Sequence, residues 1–492
     1  MTIRNPLRAR NRRPVSRHRR RLTRVTGFAA AIALVVLLAT AWRIRTANID
    51  QAATDLHLWP APGAADRLLV FAPHCDDETL GLAAYIQQAL HAGAQVRVVF
   101  MTNGDGFTWS AEREFKRVRV GQAGYVQFGM ARQQEALTAL AISGVPSQDV
   151  TFLGYPDGGL AELWLHNWTP ATPYVSRFTG FSRSPYPNSL TRGAIYCGQN
   201  VRADVQRLVR EFRPTQVFCP HSADNHPDHW ATFNFVTDVL WTERRAGGTA
   251  AKAVPVQGLY LIHRGDWPVP QGYHPDDGLP PPAGLAHLDT DWRQVPVNLE
   301  QRDTKRRAIA AYVSQMRVMK RFLTSFVRRN ELIGTRPSGP LTIVPEGAIR
   351  VDGDSRDWDG IPISVQDPPE DSIQSDFGAS GDILTVQAAE DSRRLFVRIV
   401  TRKPISKNVA YDVYWHALPD VDGGTHGVSL RQGVAPVSTV RAVAKGPVWE
   451  ISMPRPAGGA VFVGVHCRYH RFLLDKSGWR VLEPSGTFGP AE

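Results

Sequence analysis

The chain has 492 residues, with 57 Lys and Arg against 46 Asp and Glu, a formal charge of +11. Twelve of those cations, all arginine, lie in residues 1–45, where there is no acid, so the remainder holds 45 against 46 and is nearly neutral. A surplus confined to a tail excludes a folded nucleic-acid-binding body, which needs its own basic face; 43% hydrophobic content excludes wholesale disorder, and four cysteines (Cys75, Cys197, Cys219, Cys467) exclude a disulfide framework.

In chain order, residues 1–24 form the basic tail. An uncharged run from Val25 to Trp42 follows, about 27 Å long as a helix and close to the thickness of a bilayer core. Ten arginines precede it and two follow, so the positive-inside rule predicts a single-pass signal-anchor over 25–42 with a cytoplasmic N-terminus and everything beyond exported. Cleavage after Ala41, at the Ala39-Thr40-Ala41 site, is the competing reading and would give a secreted protein. Residues 43–65 read as a linker.

Over 66–335 short apolar runs alternate with helical periodicity. Strands are predicted at Leu68–Ala72, Val96–Met101, Val150–Leu153, Val217–Cys219 and Leu259–Ile262, and helices at Leu80–Ala92, Arg132–Ile142, Val205–Phe212 and Trp230–Trp241. Near-continuous apolar strands separated by helices imply α/β, a Rossmann-like parallel sheet with helices on both faces, whose ligands bind beyond the strand C-termini. A charged helical segment is predicted from Glu300 to Glu331. From 341 to 492 the pattern becomes alternating strands broken by Gly, Asp and Pro, a separate all-β domain.

Two strand ends concentrate chemistry. The first strand runs into Pro73-His74-Cys75-Asp76-Asp77-Glu78, and a later one, after Cys219-Pro220, into Asp224-Asn225-His226-Pro227-Asp228-His229. Each alone reads as a helix N-cap with proline in the first turn. Together, at one sheet edge, they offer His74, Asp77 and His229 as three ligands around an open position, the arrangement of a catalytic rather than structural zinc, with Asp76 and His226 left for proton transfer. The H-E-x-x-H pattern is absent, which excludes a thermolysin-type protease.

With these motifs the sequence resembles the PIG-L/LmbE-like zinc N-deacetylases, whose first motif is usually A-H-P-D-D-E and whose second is H-P-D-H or H-x-x-H. The resemblance runs over about 66–332 through Thr102-Asn103-Gly104, Arg132 and Glu135, Tyr155-Pro156-Asp157-Gly158, Lys305 and Ser314-Gln315. It implies Zn2+ on His74, Asp77 and His229, Asp76 as general base, and His226 as the group that stabilises the oxyanion or protonates the leaving amine. It also implies Asp157 as a substrate contact, and Arg132, at a matching helix position, is read as a second substrate-binding residue. Asp228 is read either as the partner that tunes His226 or as a first-turn carboxylate complementing the helix dipole. Cys75 stands where the family usually has proline, and reads as a buried, inert thiol.

The long loops 105–127 and 161–200 carry Trp109, Trp164 and Trp168, read as platforms for a sugar ring or as pins that hold the loops, with Arg113, Lys116, Arg117 and Arg119 nearby for an anionic substrate. Residues 341–492 are similar to family-9-like carbohydrate-binding modules, which are β-sandwiches. There Asp352, Asp354 and Asp357 are candidates for a structural Ca2+ or are turn aspartates. The expected function is a zinc-dependent deacetylase of an N-acetylglucosamine-type glycan outside the cytoplasm. A zinc amidase acting on a non-sugar amide and a non-catalytic glycan-binding scaffold are the alternatives.

Overall fold

A computed structural model describes residues 55–114, 120–246, 255–371, 380–421 and 423–487. The basic tail, the stretch over 25–42, most of the linker, and Lys116, Arg117 and Arg119 lie outside the described residues. Among the described residues no helix is long and apolar enough to cross a membrane.

The first strand, RLLVFA, is buried from its second residue onward, as a strand covered on both faces must be. The seven-stranded sheet comprises β1 (Arg67–Ala72), β2 (Gln95–Thr102), β3 (Val150–Tyr155), β4 (Gln216–Pro220), β5 (Val256–Tyr260), β6 (Asp291–Pro296) and β7 (Asn330–Thr335), in the order β3-β2-β1-β4-β5-β7-β6. Strands β1 to β5 pair in parallel, whereas β7 pairs antiparallel with both β5 and β6. The helices are α1 (Asp77–His91), α2 (Thr108–Glu114), α3 (Gln122–Ile142), α4 (Leu160–Leu165), α5 (Gly198–Phe212), α6 (Pro227–Ala246), α7 (Leu299–Ala311) and α8 (Val313–Thr324).

The two-residue period of β1 sorts its side chains between two cores. Leu68, Val70 and Ala72 join Leu82, Ile86, Ala136, Leu140 and Ile309 on one face. Leu69 and Phe71 join Val205, Leu208, Phe235 and Val239 on the other. The strand order reverses at β1, whose neighbours β2 and β4 lie on opposite sides, so the ends of β1 and β4 flank a switch-point crevice.

The charged segment predicted as helical over 300–331 is corrected. It is two helices separated at Tyr312 (φ −78°, ψ 64°), and its end, including Glu331, belongs to strand β7. The first of the two starts from a capping box between Asn298 and Gln301.

Strands β8 (Gly339–Ile343), β9 (Ile363–Gln366), β10 (Ile383–Glu390), β11 (Arg394–Thr401), β12 (Val409–Leu418), β13 (Thr425–Leu430), β14 (Arg441–Lys445), β15 (Val448–Pro454), β16 (Ala460–Tyr469), β17 (Phe472–Lys476) and β18 (Arg480–Thr487) form the C-terminal strand-rich region. They are hydrogen-bonded as one network, β13-β12-β16-β18-β8-β10-β11-β15-β14, with β17 on β16 and β9 on β10. Tyr411 on β12 and Trp449 on β15 meet with ring centroids 5.9 Å apart although β16, β18, β8, β10 and β11 lie between them in that order. The sheet therefore curls back over one apolar interior, which includes Val386, Val397, Val413, Ile451 and Val463.

This region shares a core with the α/β body. Leu418, Phe462, Trp479 and Val481 pack among Trp164, Trp168, Phe233 and Trp241. Trp168 Nε1 donates to Asp420 (2.9 Å), Trp241 Nε1 donates to Glu483 (2.8 Å), and Asp289 accepts from both Arg336 (2.9 Å) and Arg480 (2.6 Å).

Candidate metal centre

Strand β1 delivers the first cluster and the β4–α6 loop delivers the second. Asp76 stands at the β1–α1 junction with φ +153° and makes no side-chain cap. A non-glycine residue held there costs on the order of 1–3 kcal/mol, a strain typical of functional sites. The carboxylate of Asp77 turns back to accept the His74 backbone N–H (2.9 Å). In the second loop Asp224 is the clamp. Its Oδ1 accepts the His226 N–H (2.9 Å), and its Oδ2 accepts the N–H groups of Ile262 and His263 (3.0 Å each).

Three donor atoms converge. His74 Nδ1 lies 3.2 Å from Asp77 Oδ2, His229 Nε2 lies 3.2 Å from the same oxygen, and the two ring nitrogens are 3.3 Å apart. Tetrahedral ligands at about 2.0–2.1 Å from zinc are separated by about 3.3–3.4 Å, so the triangle fits a small cation with an open position. The remaining ring nitrogens are held by carboxylates: His74 Nε2 by Asp228 (3.2 Å) and Asp157 (3.3 Å), and His229 Nδ1 by Asp224 (3.1 Å). Outer carboxylates of this kind fix the tautomer of a metal-binding histidine and raise its basicity.

The electrostatics agree. Burial would lower both histidines, but Asp157, Asp228 and Asp77 raise His74 well above the usual range, and Asp224 and Asp77 raise His229 to about 9. Burial would raise Asp77, yet His229 and His74 hold it well below the carboxylate range. The pocket favours positive charge at the point of convergence. Asp76 is different, since burial pushes it up to about 7 against the nearby Arg132 guanidinium.

Arg132, buried on α3, donates to the carbonyls of Gly104 (2.9 Å) and Cys75 (2.7 Å) and lies 3.2 Å from Asp76. Gly104 has φ +61°, which favours glycine, and a Cβ there would meet Arg132 Nη1 at 1.7 Å, so a larger residue would displace the guanidinium. Asp157 accepts the Gly106 N–H (2.7 Å). The Cys75 thiol is fully buried, and burial raises its pKa well above the usual value.

His74, Asp76, Asp77, Arg132, Asp157 and His226 line one cavity of about 210 Å³. The Nδ1 of His226 accepts the Asp228 N–H (3.2 Å), and burial together with His74 and His229 keeps the ring neutral, so its proton is on Nε2. The expected partnership of the Asp228 carboxylate with this ring is corrected. The carboxylate faces His74 and accepts the N–H groups of Gly158 (2.6 Å) and Leu160 (2.9 Å); only the Asp228 backbone touches His226.

Trp164 and Trp168 are also corrected. They lie buried against His416 (ring centroids 4.6 and 5.1 Å), in the core shared with the C-terminal region, and do not line the cavity. Their long loop folds over the α5–α6 side, where burying two indoles outweighs presenting them to solvent. Asp352, Asp354 and Asp357 act as turn aspartates: each accepts a backbone N–H of its own turn, from Asp354, Arg356 and Arg350 respectively.

Sequence reasoning missed His263, Arg177, Phe107, Phe178, Met319 and Phe322, all on the cavity wall. His263 carried a signal, being just past the C-terminal end of β5, where the fold places ligands. Met319 and Phe322 carried none, because they enter from α8 across the crevice.

No curated protein matches the chain. Among solved structures it is similar to N,N'-diacetylchitobiose deacetylase from Pyrococcus horikoshii (16% identity, 58% of this chain and 87% of that one, TM-score 0.34). It is similar also to the teicoplanin deacetylase Orf2 (18%, 55% and 98%, 0.34) and to the 4-carboxy-2-hydroxymuconate hydratase GalB from Pseudomonas putida (14%, 53% and 82%, 0.33). At such identities and TM-scores the reaction has to be argued from the site. Residues 69–240, which hold His74, Asp76, Asp77, Arg132, Asp157, His226, Asp228 and His229, match the family model described as PIG-L: GlcNAc-PI de-N-acetylase, so the α/β body carries a PIG-L/LmbE-like domain.

Proposed function

We propose that this protein is a zinc-dependent N-deacetylase that hydrolyses the acetamide of an N-acetylglucosamine-type glycan outside the cytoplasm. The observation that carries the reading is the convergence of His74 Nδ1, Asp77 Oδ2 and His229 Nε2 within 3.2–3.3 Å, with the strained Asp76 on the same cavity. Two nitrogens and one oxygen with room for a fourth ligand suit zinc, which when bound supplies a Lewis acid that acidifies water and polarises an amide carbonyl.

The chain's own residues do the rest. Asp76, held beside Arg132, takes the proton of the attacking water and returns it to the departing amine. His226 presents its Nε2–H to the carbonyl oxygen as negative charge builds there, and as a neutral donor it stabilises that oxygen without itself losing a proton. Arg132 ties the β1–α1 turn to the loop after β2 and so positions Asp76.

A volume of about 210 Å³ is below the ~300–1,000 Å³ of common small-molecule pockets, which supports a single sugar ring as the buried portion of the substrate. Phe107, Phe178, Met319 and Phe322 offer it an apolar wall. The arginine-rich tail and the uncharged run over 25–42 support placement beyond a membrane.

The test is acetate release from N-acetyl-sugars by the full-length protein, stripped by a chelator and restored by Zn2+. Asp76→Asn should keep the metal and lose about 10²–10⁴-fold in kcat. Hydrolysis of amide conjugates but not N-acetyl-sugars would make it an amidase, and metal binding without any amide hydrolysis would leave a scaffold.

A further inference from the structure

A second group of acids converges away from the cavity. Asp367 after β9, Asp371 in the following loop and Asp475 on β17 bring carboxylate oxygens within 4.8 Å of one another. Asp382, fully buried at the start of β10, adds a fourth charge that disfavours ionisation of Asp371 and Asp475.

Acids can cluster with nothing between them, but here the hydrogen bonding is incomplete. Asp367 is only 5% exposed, and its Oδ2 has no partner; Asp371 Oδ1 and Asp382 Oδ1 are buried and equally without one. Unpaired buried carboxylate oxygens are costly. Burial and mutual repulsion push Asp367 well above the carboxylate range and Asp475 to about 7. The neighbouring cations are engaged elsewhere on the same groups: Arg264 pairs with Asp371 Oδ2, Arg402 with Asp382 Oδ2 (2.6 Å), and Lys476 donates to the Ser222 carbonyl (3.4 Å). The Asp475 oxygens accept the Ile383 (2.8 Å) and Lys476 (2.7 Å) N–H groups, each with a lone pair to spare.

We propose that Asp367, Asp371 and Asp475, backed by Asp382, hold a calcium ion within the C-terminal region, at the point where the Arg264–Asp371 pair clasps that region to the α/β body. The donors are all oxygen, which selects a hard cation over zinc. Oxygens at about 2.3–2.6 Å from calcium can stand up to about 5.2 Å apart, so separations within 4.8 Å are compatible with that ion.

The clasp reaches the metal centre through Arg264. This residue follows His263, pairs with Asp371, and donates to the Ala223 carbonyl (2.9 Å) and to Asn225 Oδ1 (3.3 Å), in the loop that presents His226. Filling the acidic site orders Asp371, hence Arg264, hence that loop. The proposal concerns binding and stability and does not depend on the reaction assigned above.

The test uses full-length protein stripped of all metals, reloaded with Zn2+ alone and titrated with CaCl2. One calcium per chain should bind by isothermal titration calorimetry and raise Tm by roughly 3 °C or more near saturation. Asp367→Asn should abolish both effects while keeping its zinc content. Without calcium it should be at least as stable as wild type, because it removes one of the crowded charges. His74→Ala should lose zinc yet still bind calcium, which separates this site from the other. No calcium binding by the zinc-loaded wild type, or unchanged binding by Asp367→Asn, would overturn the proposal and leave these acids neutralised by protons.

Discussion

The carboxylate of Asp228 lies 3.2 Å from Nε2 of His74, on the side of the ring opposite the nitrogen that faces Asp77 and His229. With a cation at Nδ1, this carboxylate would hold the ring's proton on Nε2 and leave the Nδ1 lone pair to the metal. His229 repeats the device with Asp224 and the opposite nitrogen.

Asp228→Asn removes the charge that orients His74. Metal affinity, measured by competition with a chromogenic chelator, should fall about 10–100-fold with the far-UV circular dichroism unchanged. Unaltered affinity would reduce Asp228 to a staple for the Gly158–Leu160 turn.

Arg177 lines the cavity with its guanidinium 4.7 Å over the Phe178 ring, and among the described residues no carboxylate pairs with it. Arg177→Met should raise KM about tenfold, the size of one charge-assisted contact, for N-acetyl-sugars bearing a neighbouring phosphate or carboxylate. Neutral N-acetyl-sugars should be little affected, and an equal loss on both would contradict a charge-recognition role.

Trp164 is fully buried against His416, Phe235 and Trp479. Trp164→Ala should cost about 3–5 kcal/mol of stability, seen as an earlier urea transition, while KM of the protein that remains folded stays put. A raised KM with unchanged stability would return this residue to the substrate.

His221, His416 and His466 are buried beside the seam between the two regions, and burial lowers them to about 3, 4 and 3 respectively. In the unfolded chain each titrates near 6.5. Between about pH 6.5 and 4 the unfolded state therefore takes up protons that the folded state does not. Each histidine then removes up to about 1.4 kcal/mol of stability per pH unit as pH falls, and nothing above about pH 7. The difference between wild type and His466→Gln isolates one of them: their urea midpoints should shift together above pH 7 and diverge below 6, with the variant losing less. Parallel midpoints down to pH 5 would refute the account.

The strands that carry the metal centre were legible because they are short and almost wholly apolar, and Leu68–Ala72 and Val217–Cys219 emerged within a residue or two of their observed ends. The paired His/Asp clusters were legible because residue type and position at a strand end coincide there. The antiparallel edge formed by β6 and β7 was not, since DWRQVP and NELIGT are polar enough to pass as loop and helix end. Their strand state comes from pairing with each other, a contact between distant parts of the chain.

Local sequence thus determined the parallel sheet, the strand-rich C-terminal region and the residue types gathered at one sheet edge, because burial period and strand-end chemistry are written within a few neighbouring residues. Tertiary structure alone decided which nitrogen of His74 faces Asp77, that Asp228 serves His74 and not the His226 ring, that Trp164 and Trp168 seal a seam, and that Asp367, Asp371 and Asp475 meet. Those outcomes depend on distances between segments far apart in the chain, set by how two cores pack together.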